Sequence, residues 1–563
     1  MFNKEYPTDI NKKASLRHPD IVMDPNRLGA MHQTRLSFVR SLTRRMAKQQ
    51  WQIKQTEWRL CEAGFGHVIY RINAHEYHYH LLIFSSEILD EERNDRVIAE
   101  KWDITFALVQ GEISHELYAK LKGNVPLQEA GRNSSQVLVL ARANKSVRVF
   151  EHIVDALSSG SQPNTDIIAN VGYLLRTTAV YGNGKFGIAD FEILKNNTDF
   201  NSSFSAQMCA VYVLRQFSID WVHYLAKQQG GENAVTLSIS LQRYLGIGNA
   251  TGLGMVPYLI NHPKVIDQWL SQRENAIAHV TSQPITAQKK KALAQLLNRA
   301  AVHLQQVKTI DPHQDDKNMT CSNELPSLKD ELEKHSSWSS IVALSTTYSL
   351  ETQEVLLTCL LEIYPEIVDQ YDIGQAVDES LHLPSGLSNE DILELLNTRY
   401  HWATQIDFSK QNQQYWFWYR SKEKEEPRMG IRGEEPGHER EMPLDIARKV
   451  NQLYQALSSS ALNMPISAFL LAHPHFRHIT RRIWSLAQCT MGDIQINLLN
   501  KKVLPMHLLR CKLSMFGATK FDPRSDRWVR VTLFQGSPLS HELHEDEWLF
   551  PLLPQQETDI ECM

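Results

Sequence analysis

The sequence is poor in cysteine, and none of its cysteines form a close pair. The seven cysteines in 563 residues are far apart, odd in number and include no C-x-x-C. This pattern argues against a disulfide framework and against a cysteine zinc site. The chain also has no run of about 18 apolar residues, so we expect no membrane-spanning helix. Its first residues lack the apolar stretch of a secretory signal, and a cytoplasmic location is the default expectation.

Neither sign of charge dominates the chain as a whole. The 59 Lys and Arg stand against 64 Asp and Glu, and the formal net charge is -5. This balance argues against a strongly basic nucleic-acid binder as a description of the whole protein. A hydrophobic share of 42% and a charged share of 22% are typical of a soluble globular protein. The length predicts roughly two to four structural units.

The first sixty residues depart from this balance, because they are basic. They hold twelve Lys and Arg and five acids, a local balance of 12 - 5 = +7. Over Met31 to Leu60, apolar residues recur at helical spacing with arginines between them, which predicts a basic amphipathic helix. The apolar positions are Leu36, Val39, Leu42 and Met46. The ordinary interpretation is a solvated face over a core stripe, and contact with a nucleic acid or an anionic lipid is the alternative.

A strand pattern follows between about residues 67 and 142. HVIYRI at 67–72 and YHYHLLIF at 77–84 predict a hairpin, and 103–109 and 136–142 predict further strands. The strands follow one another too closely for helical crossovers, so we predict a small antiparallel sheet. Beyond it, helical spacing dominates. The predicted fold class is α+β and predominantly helical, with the small antiparallel sheet in the N-terminal portion followed by two mainly helical portions.

Changes in composition divide the chain into parts. We predict an α+β domain over 1–160 with the basic N-terminal helix, a helical domain over 161–307 with two glycine-rich loops, a linker at 308–330, and a mainly helical C-terminal domain with a late strand over 331–563. The linker prediction rests on a polar, aromatic-free segment that prolines interrupt. In the last part, Ser388 followed by Asp391 is a capping-box signature and predicts a helix start.

Two glycine-rich loops in the predicted helical domain are candidates for ligand binding. YLGIGNATGLGMVPYLINHP at 244–263 has four glycines within nine residues before an apolar helical segment, and YGNGKFG at 181–187 adds a lysine. Free N–H groups at a helix start suit a phosphate or a carboxylate. The candidate residues are Lys185, Gly248, Asn249, Thr251, Gly252 and Gly254. The alternatives are a glycine turn through which helices pack and a helix C-cap.

Two further segments combine aromatic and basic residues. Five consecutive aromatics at 415–419 precede a loop rich in Arg and Glu, where Arg428 and Arg432 would clamp an anionic group. Mixed charge of this kind is more often ordinary surface. Residues 508–536 interleave arginines and lysines with aromatics, which suits stacking on a nucleotide or a single strand. An ion-paired interface between domains explains the same pattern.

The sequence contains 23 histidines, and one group of them has the spacing of metal ligands. His78 and His80 alternate onto one face of a predicted strand, with His75 in the adjoining turn. Glu112 and His115 form a Glu-x-x-His pair, but the spacing does not fix either of them as a third ligand. We therefore predict no metal site and interpret these histidines as polar residues on a strand face.

Together these patterns favour a cytosolic enzyme that binds a small phosphate- or carboxylate-bearing ligand at the glycine-rich loops, with Lys185, Arg428 and Arg432 supplying charge. One alternative is a nucleic-acid-associated or regulatory binding protein that uses the basic N-terminal helix and the C-terminal Arg/aromatic segment. Another is an interaction scaffold. The patterns indicate no catalytic residue, no cofactor and no oligomeric state.

Overall fold

The computed structural model describes residues 17–89, 101–125, 136–179, 197–200, 203–249, 263–307, 312–371, 383–405, 416–420, 427–431, 442–487, 489–493, 505–517, 520–523 and 529–543. Its strands are β1 (Gln52–Leu60), β2 (Gly66–Asn73), β3 (His78–Ser85), β4 (Ile104–Gln110), β5 (Val137–Lys145), β6 (Tyr173–Thr177), β7 (Gly246–Asn249), β8 (Trp416–Arg420), β9 (Pro427–Ile431), β10 (Lys520–Pro523) and β11 (Val529–Leu533). Its α-helices are α1 (Pro19–Val22), α2 (Pro25–Ala30), α3 (Phe38–Lys48), α4 (His115–Gly123), α5 (Phe150–Ser158), α6 (Thr165–Ala169), α7 (Ser203–Gly230), α8 (Ile239–Tyr244), α9 (Pro263–Thr281), α10 (Ala287–Gln306), α11 (Pro312–Glu331), α12 (Trp338–Ser345), α13 (Leu350–Glu362), α14 (Pro365–Val368), α15 (Asn389–Arg399), α16 (His401–Thr404), α17 (Met442–Ser458), α18 (Ile466–Ala472), α19 (Arg477–Leu486) and α20 (Pro505–Phe516).

One large mixed sheet organises the first part of the chain. Its nine described strands lie in the order β1-β2-β3-β4-β5-β6-β7-β11-β10. All the neighbouring pairs are antiparallel except β6 and β7, which run parallel. The prediction of a small antiparallel sheet is therefore wrong. The predicted strands form only the first part of the sheet, and strands from distant parts of the sequence extend it beyond β5.

A long buried helix explains how such a sheet is covered. In α7, the side chains from 204 to 214 are all buried, so the helix has no solvent-facing side there. A helix that is apolar all round belongs in an interior. It contacts β4, β5, β6 and β7 on one side and α3 and α5 on others. The inward-facing residues of the sheet and α7 together form the first hydrophobic core.

The C-terminal part of the chain returns to this first core. Strand β11 pairs with β7, and α20 packs on α2. Phe38, Phe204 and Phe516 bring α3, α7 and α20 together, with ring centroids 5.0 to 6.0 Å apart. Contacts between residues so distant in sequence leave no periodic signal, which is why the sequence did not show them.

Two helical cores complete the described molecule. The second contains the C-terminal half of α9 and helices α10 to α14, and the third contains α15 to α19. Helix α9 links the first two, because Trp269 lies in the first core and Ile277 in the second. The hairpin of β8 and β9 forms a separate two-stranded sheet. None of the described helices has the length and apolar composition needed to cross a membrane.

Several local expectations can be compared with these elements. The helix predicted over 31–60 is confined to Phe38–Lys48, and β1 follows it. The capping box is confirmed, because Ser388 and Asp391 bond each other's backbone N–H groups. The segment 308–330 is described from residue 312, where it forms α11 and packs on α10. The domain boundaries themselves stay predictions.

Candidate metal centre

One face of the strand pair β3 and β4 points away from the first core. Alternate residues Tyr79, Leu81 and Ile83 of β3 point into that core. Leu82 and Phe84 point outwards and are covered by α4, with which they form a small separate cluster. His78 and His80 belong to the same outward register, so both imidazoles lie beyond the end of this cluster.

A turn after β4 brings a carboxylate to these two histidines. The N–H of Gly111 donates to the carbonyl of His78 at 3.0 Å, which extends the ladder by one residue. Gly111 then adopts a φ of +77°, a conformation that favours glycine. The chain turns there, and Glu112 comes to lie over the outer face of β3.

Three potential ligand atoms converge at this point. One atom each from His78, His80 and Glu112 lie within 4.8 Å of one another. His78 Nε2 lies 3.1 Å from Glu112 Oε1, and His80 Nε2 lies 3.9 Å from Glu112 Oε2. His75 and His115 are not part of this group. Two imidazoles and one carboxylate form a common ligand set for zinc and for non-haem iron.

The hydrogen bonds of His80 leave one ring nitrogen free to bind a metal. Its Nδ1 lies 2.7 Å from the carbonyl oxygen of Gly111, which only an N–H can satisfy. The lone pair is therefore on Nε2, the atom that faces Glu112. Burial lowers the pKa of His80, although the bond to Gly111 and the nearby carboxylate act in the opposite direction. A neutral imidazole fixed through its other nitrogen is the usual form of a histidine ligand.

The guanidinium group of Arg71 lies beside the cluster. Arg71 of β2 is opposite His80 in the strand register, and its Nη1 is 3.4 Å from Glu112 Oε1. Its Nε donates to Asn73 Oδ1 at 3.0 Å, which orients the guanidinium. The histidines are partly shielded, whereas Glu112 is 70% exposed. Solvent and small solutes therefore reach the cluster.

A second polar group lies further along the same face of the sheet. His67 Nε2 is 3.2 Å from Glu57 Oε1, and its Nδ1 is 3.2 Å from the hydroxyl of Tyr118. Burial, followed by the charge of Glu57, raises the pKa of Tyr118. His67 is four residues from Arg71 along β2, a separation of about 13 Å. It is therefore a separate feature of this surface.

The glycine-rich loop predicted to bind a ligand is described only at its beginning. Gly248 and Asn249 lie in β7, which pairs with β6 on one side and β11 on the other. A Cβ at Gly248 would come within 2.7 Å of the ring of Tyr173. This close packing gives a structural reason for the glycine. Asn249 is almost fully buried.

Of the other predicted ligand-binding residues, the structure describes only Arg428. Arg428 lies in β9 opposite Tyr419, in the separate hairpin. Lys185, Thr251, Gly252, Gly254 and Arg432 lie outside the described residues. Their proposed role stays a prediction.

The arginines of the N-terminal helix are engaged inside the protein. Arg40 pairs with Glu362 through two hydrogen bonds. Arg35 and Arg44 both contact Asp369. These carboxylates belong to the second core, so the basic helix binds another part of the same chain. This arrangement reduces the charge that α3 offers to a nucleic acid or a lipid.

Two parts of the C-terminal Arg/aromatic segment, residues 511–517 and 531–534, are also interior. Phe516 lies in the aromatic contact with Phe38 and Phe204. Lys512 is fully buried, and burial places its pKa well below the ordinary value. These side chains do not form an exposed stacking surface.

The sequence showed the two histidines of this cluster but did not select them as candidate ligands. The His-x-His spacing in a strand was visible, and Glu112 was one of two candidates for a third ligand. What the sequence lacked was the register of β3 against β4, which places Gly111 opposite His78. Comparison of the chain with protein-family models, with curated proteins and with solved structures finds no match.

Proposed function

We propose that this protein binds one divalent transition-metal ion, zinc in the first place, through His78, His80 and Glu112. The observation that supports this is the convergence of three ligand atoms within 4.8 Å, with the tautomer of His80 already fixed by Gly111. Two histidines and one carboxylate leave at least one position of a tetrahedral ion for water or another ligand. Such an open position is characteristic of catalytic rather than structural zinc sites.

The same surroundings favour a small oxyanion as the further ligand. A divalent cation next to the guanidinium of Arg71 is an unfavourable pair of like charges, and a bridging carboxylate or phosphate would neutralise both. The phosphate- or carboxylate-bearing ligand predicted from the sequence is therefore proposed to bind here, between the metal and Arg71. A metal-dependent enzyme is the class of function that this arrangement best supports.

Metal binding is tested by titrating chelator-treated protein with zinc in a calorimeter. We expect one equivalent to bind. His80→Ala and His78→Ala should each weaken binding by more than the roughly 10–100-fold that loss of an outer-shell partner costs. His75→Ala and His115→Ala are the matched controls, because these histidines are nearby but outside the cluster. No saturable binding, or equal losses in the controls, would contradict the proposal.

The anion is tested separately through the thermal midpoint of the zinc-loaded protein. Acetate and inorganic phosphate should raise the midpoint only when zinc is present, because binding to the folded state stabilises it. Arg71→Gln should keep zinc binding and lose this response. An unchanged response in Arg71→Gln would remove the arginine from the anion site and leave the metal site standing.

A further inference from the structure

Two consecutive short helices in the third core, α18 and α19, are joined by a short turn. Helix α18 ends at Ala472 and α19 begins at Arg477, with the four residues 473–476 between them. A connection of this length is typical of the helix-turn-helix motif. Phe469 of α18 stacks on Phe476 of the turn, with centroids 6.0 Å apart. Helix α19 then packs against α15 and α17.

The apolar residues of α19 are turned inwards, whereas Leu471 at the end of α18 is exposed. Ile479, Ile483 and Leu486 of α19 are buried. Arg477 and His478 are exposed, and Arg481 is half-buried on the same side of the helix. The face of α19 that meets solvent is therefore basic, and its cations begin at the N-terminal end of the helix.

The sequence around this unit contains no acidic residue. Residues 446–492 contain no Asp or Glu, the longest such stretch in a chain that has 64 acids. The same stretch contains five arginines and lysines, which are Arg448, Lys449, Arg477, Arg481 and Arg482. In a protein whose net charge is -5, this stretch, which begins directly after Asp445 in the first turn of α17, carries only positive charge. Positive charge of this kind attracts a polyanion.

A second acid-free stretch shows what is different here. Residues 25–56 also lack acids, but their arginines reach carboxylates elsewhere in the chain, such as Glu362 and Asp369. In the described part of the chain, neither Arg477 nor Arg481 contacts any carboxylate. Arg482, in contrast, is paired with Asp493. The two arginines on the exposed face of α19 are thus free to bind an external anion.

We propose that α18 and α19 dock on double-stranded DNA, with α19 in the major groove. The major groove admits an α-helix, and the N-terminal residues of the second helix of such a unit are those that reach base edges and phosphates. Arg477 and Arg481 lie in this part of α19. A lipid surface fits less well, because the apolar side of α19 is already packed in the third core. A single strand would need exposed aromatic platforms, and Phe469 and Phe476 are buried.

The proposal is tested by fluorescence anisotropy of the full-length protein with a labelled duplex of about 20 base pairs, long enough for two helical turns. Binding should weaken steeply as salt rises from about 50 to about 200 mM, because counterions are released. In Arg477→Gln/Arg481→Gln, affinity at low salt should fall by at least about tenfold, and the slope against log salt should decrease by about 2.

The matched control removes two exposed cations elsewhere. Lys227→Gln/Lys291→Gln changes the net charge by the same amount and should leave both affinity and slope unchanged. Thermal midpoints of both double variants should match the parent, because all four side chains lie at the surface of helices. No binding of the duplex at low salt, or equal binding by the α19 variant, would overturn the proposal. Tighter binding to a single strand of the same length or to anionic phospholipid vesicles would also overturn it.

Discussion

Arg40 of α3 and Glu362 of α13 form an ion pair with two hydrogen bonds in the interior of the protein. Nη1 lies 2.6 Å from Oε1 and Nη2 lies 3.0 Å from Oε2. The two side chains are 3% and 5% exposed. The pair joins the first core to the second, so the basic N-terminal helix has an internal partner. Burial of two charges is costly unless each satisfies the other.

The first prediction concerns the loss of one partner of this pair. Arg40→Leu or Glu362→Leu alone should lower the free energy of unfolding by about 3–5 kcal/mol, because the remaining charge stays buried and loses this partner. The double variant should recover much of that loss. Urea unfolding of the four proteins measures the coupling. Arg35→Ala is the comparison, because its partner Asp369 is partly exposed, and it should cost about 1 kcal/mol or less. Additive losses in the double variant would contradict this expectation.

A larger ionic network surrounds Glu354 in the same region. Its carboxylate accepts hydrogen bonds from Arg17 at 2.9 Å, Arg27 at 2.8 Å and Arg273 at 2.6 Å. Burial alone would raise the pKa of Glu354, but the three guanidinium groups lower it well below the ordinary value. The network ties α2 and the segment before it to α9 and α13.

The second prediction follows from the direction of that pKa shift. The folded state holds Glu354 ionised at pH values where the unfolded chain has bound a proton. Its contribution to stability is therefore fully present above about pH 4.3, the ordinary glutamate value, and is lost as the pH falls further. The limiting slope from this one group is about 1.4 kcal/mol per pH unit.

Unfolding free energies measured between neutral and acid pH test this dependence. Glu354→Gln should be destabilised at neutral pH and should lose stability less steeply on acidification than the parent. Glu390→Gln, which removes an exposed carboxylate on α15, should keep the slope of the parent. Parallel acid limbs in Glu354→Gln and the parent would show that the network does not hold this carboxylate ionised.

How well the fold could be predicted depended on how far apart in sequence the paired elements are. The hairpin expected at 67–72 and 77–84 corresponds to β2 and β3, because period-two alternation shows in a strand whatever its partner. The prediction was wrong about the extent of the sheet. Strands β7 and β11 are four and five residues long, and about 280 residues separate them. The alternation of residues in so short a strand does not identify which strand lies beside it in the sheet.

A local helix N-cap determines the secondary structure of one segment whose sequence is ambiguous. The residues of TLSISLQRYL at 236–245 alternate in a way that also fits a strand. In the structure Ser238 caps α8, and its hydroxyl accepts from the N–H of Leu241. The same chemistry at Ser388 was visible because an acid stands three residues later. For the candidate metal centre, the strand spacing of His78 and His80 was equally visible, whereas the position of Glu112 depended on strand register.

The third prediction concerns the close contact of Gly248 with Tyr173. Gly248→Ala should lower the free energy of unfolding by about 1–3 kcal/mol, because the added Cβ meets the ring at 2.7 Å. In a Tyr173→Ala background the same substitution should cost less. Gly386→Ala is the control, since a Cβ there meets nothing within 4 Å. A ligand-binding role alone would instead leave stability unchanged and remove only the response to an anion.

The fourth prediction links the turn at Gly111 to metal binding. Gly111 has a φ of +77°, and its carbonyl oxygen fixes the ring of His80. An alanine strains this conformation and shifts both Glu112 and the acceptor of His80. Gly111→Ala should therefore weaken zinc binding by about 10–100-fold, the range for loss of an outer-shell partner. Calorimetric titration of the chelator-treated variant measures the change.

Gly123→Ala provides the matched control for Gly111. Gly123 is the last residue of α4, and a Cβ there meets nothing within 4 Å. It is only eleven residues after Glu112 in the sequence, but it is not part of the cluster of His78, His80 and Glu112. Zinc affinity in Gly123→Ala should equal that of the parent, and stability should be unchanged or slightly higher because alanine favours the helix. If Gly111→Ala also bound zinc like the parent, the turn would not position Glu112 and His80.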